Sequence, residues 1–132
     1  MSINSISASG LFAAQTRLSV SASNVANARS TATTDAQGNV TNQAFQARRV
    51  EQTAQAGGGV NTQVVIDPQP TVTVQAFNGD LLAADDGTIE IPNVDFAEEF
   101  VEQKIATYDF RANLVVLEAQ KETQETLLDV LA

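Results

Sequence analysis

The chain has 132 residues, a formal charge of −9, and neither Cys, His nor Trp. The missing Cys and His exclude disulfides, Ser-His-Asp and Cys-His catalysis, and most zinc sites. The negative charge argues against nucleic acid or an anionic membrane surface as a partner, because both need a basic patch. Much of the 43% hydrophobic fraction is alanine, with one Tyr and six Phe, so few large side chains are left for an interior. A self-contained fold of this composition is marginal. The length fits one domain.

Ser2 to Ala28 is expected to form a helix. Leu11, Ala14, Leu18, Val25 and Ala28 recur at three-and-four spacing and draw a narrow apolar seam. Gly10 interrupts the segment and serine is frequent, so an isolated helix would fray. Ala13, Ala14, Ser21, Ala22 and Ala26 would let a second helix approach closely. Met1 to Gln15 has no basic start and no unbroken apolar run, so no cleaved secretory signal is expected. No segment approaches the ~18 apolar residues that cross a bilayer.

Arg29 to Gln43 reads as a polar linker. It contains the sequon Asn39-Val40-Thr41, which without a secretory signal is expected to be a solvated loop. Residues 44–91 read as β structure. Ala44–Ala54 and Val60–Ile66 are expected to be strands around a Gly57–Gly59 turn, and Pro68 and Pro70 stop the second. Thr71–Phe77 alternates, Asn78-Gly79 suits a tight hairpin, and Leu81–Ala83 and Thr88–Ile91 are candidate returns. So small a sheet needs a helix to pack on. Asp85-Asp86-Gly87-Thr88 reverses the order of an aspartic-protease motif and reads as an acidic turn. No catalytic, metal or cofactor constellation emerges, and the chain is not expected to be an enzyme.

Asn93 to Ala132 has neither Gly nor Pro and is rich in Leu, Ala, Glu, Gln and Lys, the composition of a long helix. Asp95 followed by Glu98 has capping-box spacing at its start. It carries two apolar lines. One is Val94, Val101, Ile105, Tyr108, Ala112, Val115 and Ala119; the other is Phe96, Phe100, Phe110, Leu114, Leu117, Leu128 and Leu131. One intrachain contact covers one line, so the expectation is one face on residues 11–28 and the other on a neighbouring subunit. The ends also differ in charge. Residues 1–28 carry Arg17 and no acid, whereas residues 94–132 carry nine acids and three bases.

Ser9–Ala28, SGLFAAQTRLSVSASNVANA, resembles the N-terminal signature of the bacterial flagellar axial proteins, the rod, hook and hook-junction subunits. The Asn-x-Ala-Asn-Ala ending of that signature is Asn24–Ala28. Ile91–Leu131 resembles the C-terminal signature, with Pro-Asn-Val-Asp at Pro92–Asp95 and aromatic-x-x-Asn at Phe110 and Asn113. Short length and a compact middle look most like the proximal-rod members. Two departures stand out: the family's Thr-Pro-Gly segment is replaced by Arg29–Thr34, and its terminal-helix methionines are missing.

The resemblance implies a structural subunit that leaves the cytoplasm unfolded through the flagellar type III export apparatus, without a cleaved signal. It then pairs its terminal helices into a helical tube in the periplasmic rod of the basal body, transmitting torque around a central channel. The implied partners are other copies of itself, related rod subunits and the export apparatus, with no nucleic acid, no membrane insertion and no cofactor. The implied architecture is α+β, mainly α: terminal helices in an antiparallel coiled-coil pair with a small β-hairpin region between. Residues 1–28 and 93–132 form the axial core, and residues 29–92 a linker and small β region. Stripes and signatures together put forward Leu11, Leu18, Val25, Asn27, Val101, Ile105, Tyr108, Phe110, Asn113, Leu114, Leu117 and Leu128 as the assembly interface. A soluble coiled-coil adaptor, or a binding module like a secretion chaperone, is the alternative for such helices.

Overall fold

A computed structural model describes residues 2–34, 40–76, 83 and 87–131. Two long helices enclose the β segments in sequence: α1 (Ile3–Asn27), β1 (Thr33–Thr34), β2 (Val40–Asn42), β3 (Arg48–Ala54), β4 (Val60–Ile66), β5 (Thr71–Gln75), β6 (Thr88–Pro92) and α2 (Phe96–Leu131). The strands form three separate antiparallel pairs, β1–β2, β3–β4 and β5–β6. The α+β class with a terminal helix pair is what the sequence implied.

Local chemistry sets the helix boundaries. The Ser2 side chain accepts from the Ser5 N–H, and Ser5 Oγ donates to the Ser2 carbonyl at 2.8 Å, which caps α1. Several hydroxyls within the helices donate back one turn, as Thr16 does to the Phe12 carbonyl at 2.8 Å and Thr107 to the Gln103 carbonyl at 2.7 Å, so these side chains are satisfied within their own helix. Helix α2 starts where Asp95 Oδ1 accepts from the N–H groups of Ala97 (2.8 Å) and Glu98 (3.3 Å). That is half of a capping box; Glu98 makes no return bond. Glu98 and Glu99 in the first turn also suit the helix dipole.

The helices run antiparallel, with Gly10 against Asn113, Arg17 against Glu102 and Asp109, and Asn24 against Glu99. Hairpin β3–β4 packs on α1, its register running from Arg48 opposite Ile66 to Ala54 opposite Val60. The turn between the strands uses Gly57, Gly58 and Gly59, all at φ of +88 to +99°, a backbone closed to most side chains. Seven strand residues span about 23 Å. The stretch of α1 from Ser9 to Asn24 rises about the same distance, roughly 22 Å. A polar side chain of α1 fastens each end of the hairpin. Asn24 holds the backbone of Arg48, and Ser9 Oγ accepts from the Val60 N–H at 3.1 Å.

Several expectations for the middle of the chain need correction. The segment Arg29–Gln43 is not only linker, because Thr33–Thr34 pairs with Val40–Asn42. Strand β3 begins at Arg48, four residues after Ala44. Ala44 and Ala47 are buried, and the Ala47 N–H donates to the Pro70 carbonyl at 3.2 Å instead of to a β4 ladder. Strand β5 returns through β6, with Thr71 opposite Pro92 and Gln75 opposite Thr88. Asn78-Gly79, Leu81 and Leu82, Asp85 and Asp86, and Asn39 of the sequon lie outside the described residues. The Pro70 carbonyl also accepts from Asn93 N–H at 3.0 Å, tying the start of β5 to the approach to α2.

Candidate assembly surface

The seam between the helices is not built from either apolar line of α2. The residues buried on the two helices are Ser7, Ala13, Ala14, Ser21 and Asn24 on α1 and Ala106 on α2. Ser21 Oγ donates to the Glu99 carbonyl and accepts from Gln103 Nε2, both at 3.1 Å. The face of α2 turned to α1 therefore runs through Glu99, Gln103, Ala106 and Asn113, a third line of small and polar residues. The expectation that one apolar stripe would cover residues 11–28 fails for a steric reason. Axes close enough to bury alanine and serine leave no room for Phe or Leu between them.

Asn24 is the centre of this arrangement. It is 3% exposed; its Nδ2 donates to the Arg48 carbonyl at 2.7 Å and to Glu99 Oε1 at 2.6 Å, and its Oδ1 accepts from the Arg48 N–H at 3.0 Å. One amide side chain thus joins α1, β3 and α2. The other asparagine of the motif, Asn27, the one expected at the interface, donates to the Ser23 carbonyl in its own helix. Motif position alone does not separate the two; helical spacing does, since Asn24 lies three residues from Ser21 on the buried face.

Arg17 is the one charged side chain of α1. Its Nε and Nη2 engage the two carboxylate oxygens of Glu102 at 2.5 and 3.0 Å, and Nη1 reaches Asp109 Oδ2 at 2.7 Å. Glu102 and Asp109 sit seven residues apart, two turns of one face, so the guanidinium bridges them. The bond to Glu102 holds Arg17 above its usual pKa, although desolvation pulls the other way. The opposite charge of the two chain ends is thereby concentrated at a single residue.

Gly10, which in sequence looks like an interruption, is a point where the two helices approach closely. A β-carbon there would stand 2.5 Å from Asn113 Oδ1. Asn113, one of the sequence-selected residues, is held in place by Nδ2 donating to the Asp109 carbonyl at 2.8 Å.

Most other residues expected at an interface face solvent. Leu18, Val101, Ile105, Tyr108, Phe110, Leu114 and Leu128 are exposed, with Tyr108 at 67% and Leu128 at 68%; Leu11, Val25, Asn27 and Leu117 are half-buried. Over the length that α1 covers, both apolar lines of α2 lie largely outside the intrachain seam. Phe96, Phe100 and Val115 of the same lines are exposed too, as is Phe12 of α1. Scattered exposed apolar residues are ordinary, but continuous stripes along a 36-residue helix are the mark of an interaction surface. Among the described residues no three His, Cys, Asp or Glu side chains converge as metal ligands, and no helix is long and apolar enough to cross a membrane.

No family profile matches the chain. Curated relatives do. The flagellar basal-body rod protein FlgC of Salmonella typhimurium is 36% identical over 126 residues, covering 92% of this chain and 90% of the relative. FlgC of Yersinia enterocolitica is 38% identical over 128 residues, and that of Escherichia coli O6:H1 35% over 122, each with the same coverage of both chains. Identity at this level along nearly the whole length, with both terminal signatures in place, leaves one assignment: the chain belongs to the FlgC family of flagellar basal-body rod proteins.

Proposed function

We propose that this chain is a structural subunit of the flagellar basal-body rod that assembles through its terminal helices. In this reading the helices line a helical tube that carries torque and encloses the export channel, and the chain works by packing instead of catalysis. One observation carries it. The antiparallel pair seals its own seam with small and polar residues and leaves its Phe, Leu, Ile, Val and Tyr side chains outward along both lines of α2. Such side chains gain roughly 1.5–3 kcal/mol each when fully buried, and a neighbour is what would bury them.

The same observation supports folding on assembly. Apart from Pro92, the buried apolar residues among those described are seven alanines and Ile89, a core too slight to hold an isolated chain firmly. A chain of that kind stays open enough for export through the type III apparatus into the periplasmic rod. Residues 1–28 and 93–132 then act as the axial core, with residues 29–92 carried beside it.

The direct test is incorporation. Leu114→Asp or Leu18→Asp places a carboxylate on an outward stripe, where burial without a partner costs several kcal/mol. The expected result is loss of the chain from isolated basal bodies and loss of motility. Unchanged motility would remove these residues from the interface. Absence of the wild-type chain from basal bodies would leave the soluble adaptor as the better reading.

A further inference from the structure

Helix α1 starts at Ile3, capped by Ser2. With Gly10 facing Asn113 in an antiparallel pair, Ile3 comes opposite Gln120. Gln120 is also the last half-buried residue of α2, and every residue from Lys121 to Leu131 is exposed. The line of α2 that faces α1 through Gln103, Ala106, Asn113 and Gln120 continues at the same three-and-four spacing through Gln124, Leu127 and Leu131. A packing stripe therefore runs about 16 Å past the helix it packs on. Leu127 and Leu131 on it are 58% and 83% exposed.

Elsewhere on the pair, Ala14, Gln15 and Leu18 of α1 and Ala106, Phe110 and Arg111 of α2 line an apolar groove of about 340 Å³. Alanines form its floor, and the exposed Leu18 and Phe110 flank them. Arg111 is its one charged residue and makes no ion pair among the described residues, whereas the overhang carries Glu122 and Asp129 beside its apolar line, together with Glu125, which pairs with Lys121 of the same overhang at 3.6 Å.

The geometry points to a contact between two copies of this chain in which the α2 overhang of one, residues 121–131, lies in the α1–α2 groove of the next. Leucines of the overhang fill the alanine-floored groove, and its acids meet Arg111. The overhang cannot reach its own groove, because Leu127 lies some 26 Å beyond Phe110 on the same rigid helix. Groove and overhang are different surfaces on one chain, so each copy that joins leaves one of each free, and the contact repeats without closing. This rests on the rod-subunit reading and names which segments meet within it.

The chain has no cysteine, so introduced thiols report without background. Gln15→Cys and Gln124→Cys, both at exposed positions, are combined in one full-length chain and treated with a short bismaleimide in isolated basal bodies. The expected result is a ladder at multiples of this chain's mass, absent from each single variant and from a Ser23→Cys/Gln124→Cys pair. Arg111→Glu should lower ladder yield about two- to five-fold, as expected for a rim charge pair, and adding Asp129→Arg should restore it. A single adduct of another mass would overturn the assignment to a second copy. Monomer alone, in basal bodies that contain the variant, would overturn the contact while leaving the rod-subunit reading intact. Loss of even the wild-type chain from basal bodies would overturn both.

Discussion

Asn113 lies so close over Gly10 that no side chain fits on the α1 residue without displacing it. Glycine inside a helix normally costs about 1 kcal/mol relative to alanine, so Gly10→Ala would ordinarily stabilise α1. Here the new methyl pushes Asn113 off the Asp109 carbonyl and parts the helices. The expected outcome is a net loss of about 1–2 kcal/mol, in the range of other overpacked sites. Gly10→Ala/Asn113→Ala should recover most of it. Thermal unfolding followed by circular dichroism decides the matter, and a single variant that melts above wild type would refute the steric account.

Asn24 should be the most sensitive polar residue. Asn24→Ala leaves the Arg48 backbone without its side-chain partner and costs about 2–4 kcal/mol from unsatisfied buried groups. Asn24→Asp is nearly isosteric but sets a second carboxyl where the amide nitrogen stood 2.6 Å from Glu99. Burial and the neighbouring acid both raise the pKa of the introduced group. Its native-state pKa lies above the unfolded value, so its ionisation costs stability as pH rises and its protonation restores it. The expected pattern is a variant unstable at pH 7 that partly recovers near pH 5, read as melting temperature against pH.

Arg17 gives the opposite test. Its folded-state pKa is raised above an already high value, so its stabilisation is complete across the ordinary pH range and lost only in strong alkali. Between pH 9 and 11 this contact contributes no pH dependence in the wild type. Arg17→Lys replaces a fork that grips both Glu102 oxygens with a point charge whose unfolded pKa is about 10.4. The same carboxylates raise the folded value, so stability should fall as pH climbs from about 10 through that value. The difference between wild-type and variant melting curves isolates the effect; parallel curves would show that the bridge contributes nothing.

Asp95→Ala should unravel the first turn of α2, costing about 1 kcal/mol as other N-caps do. Amide exchange should quicken at Ala97 and Glu98 and stay unchanged around Ala106. Asp95→Asn, which keeps an acceptor, should remain close to wild type.

The two helices, the β3–β4 hairpin and its glycine turn were legible because each has a local signal: period, composition, or residues that tolerate positive φ. The seam was not. Hydrophobic periodicity points to where large side chains lie, and it found the outward stripes of α2 through Tyr108, Leu114 and Leu128. Contacts between alanines, serines and one asparagine leave almost no trace in such a pattern. Gly10 looked like a defect because its reason lies 103 residues away at Asn113. Asn24 leaves no local signal for the same cause, since its three bonds run to two residues on other elements, Arg48 and Glu99. Strand β1 is only two residues long, too short for any alternation to declare it.

Ser21 is the largest side chain that is almost completely enclosed, at 1% exposure among the described residues. This inverts the usual pattern of harmful substitutions. In a leucine core, trimming a residue opens a cavity and does the damage. Here trimming Ala13, Ala14 or Ala106 to glycine removes one methyl group, whereas adding two methyl groups at any of them wedges the helices apart. Sequence drift in this chain should therefore be free to vary its bulky positions, as far as its neighbours allow, while smallness is the property that selection guards.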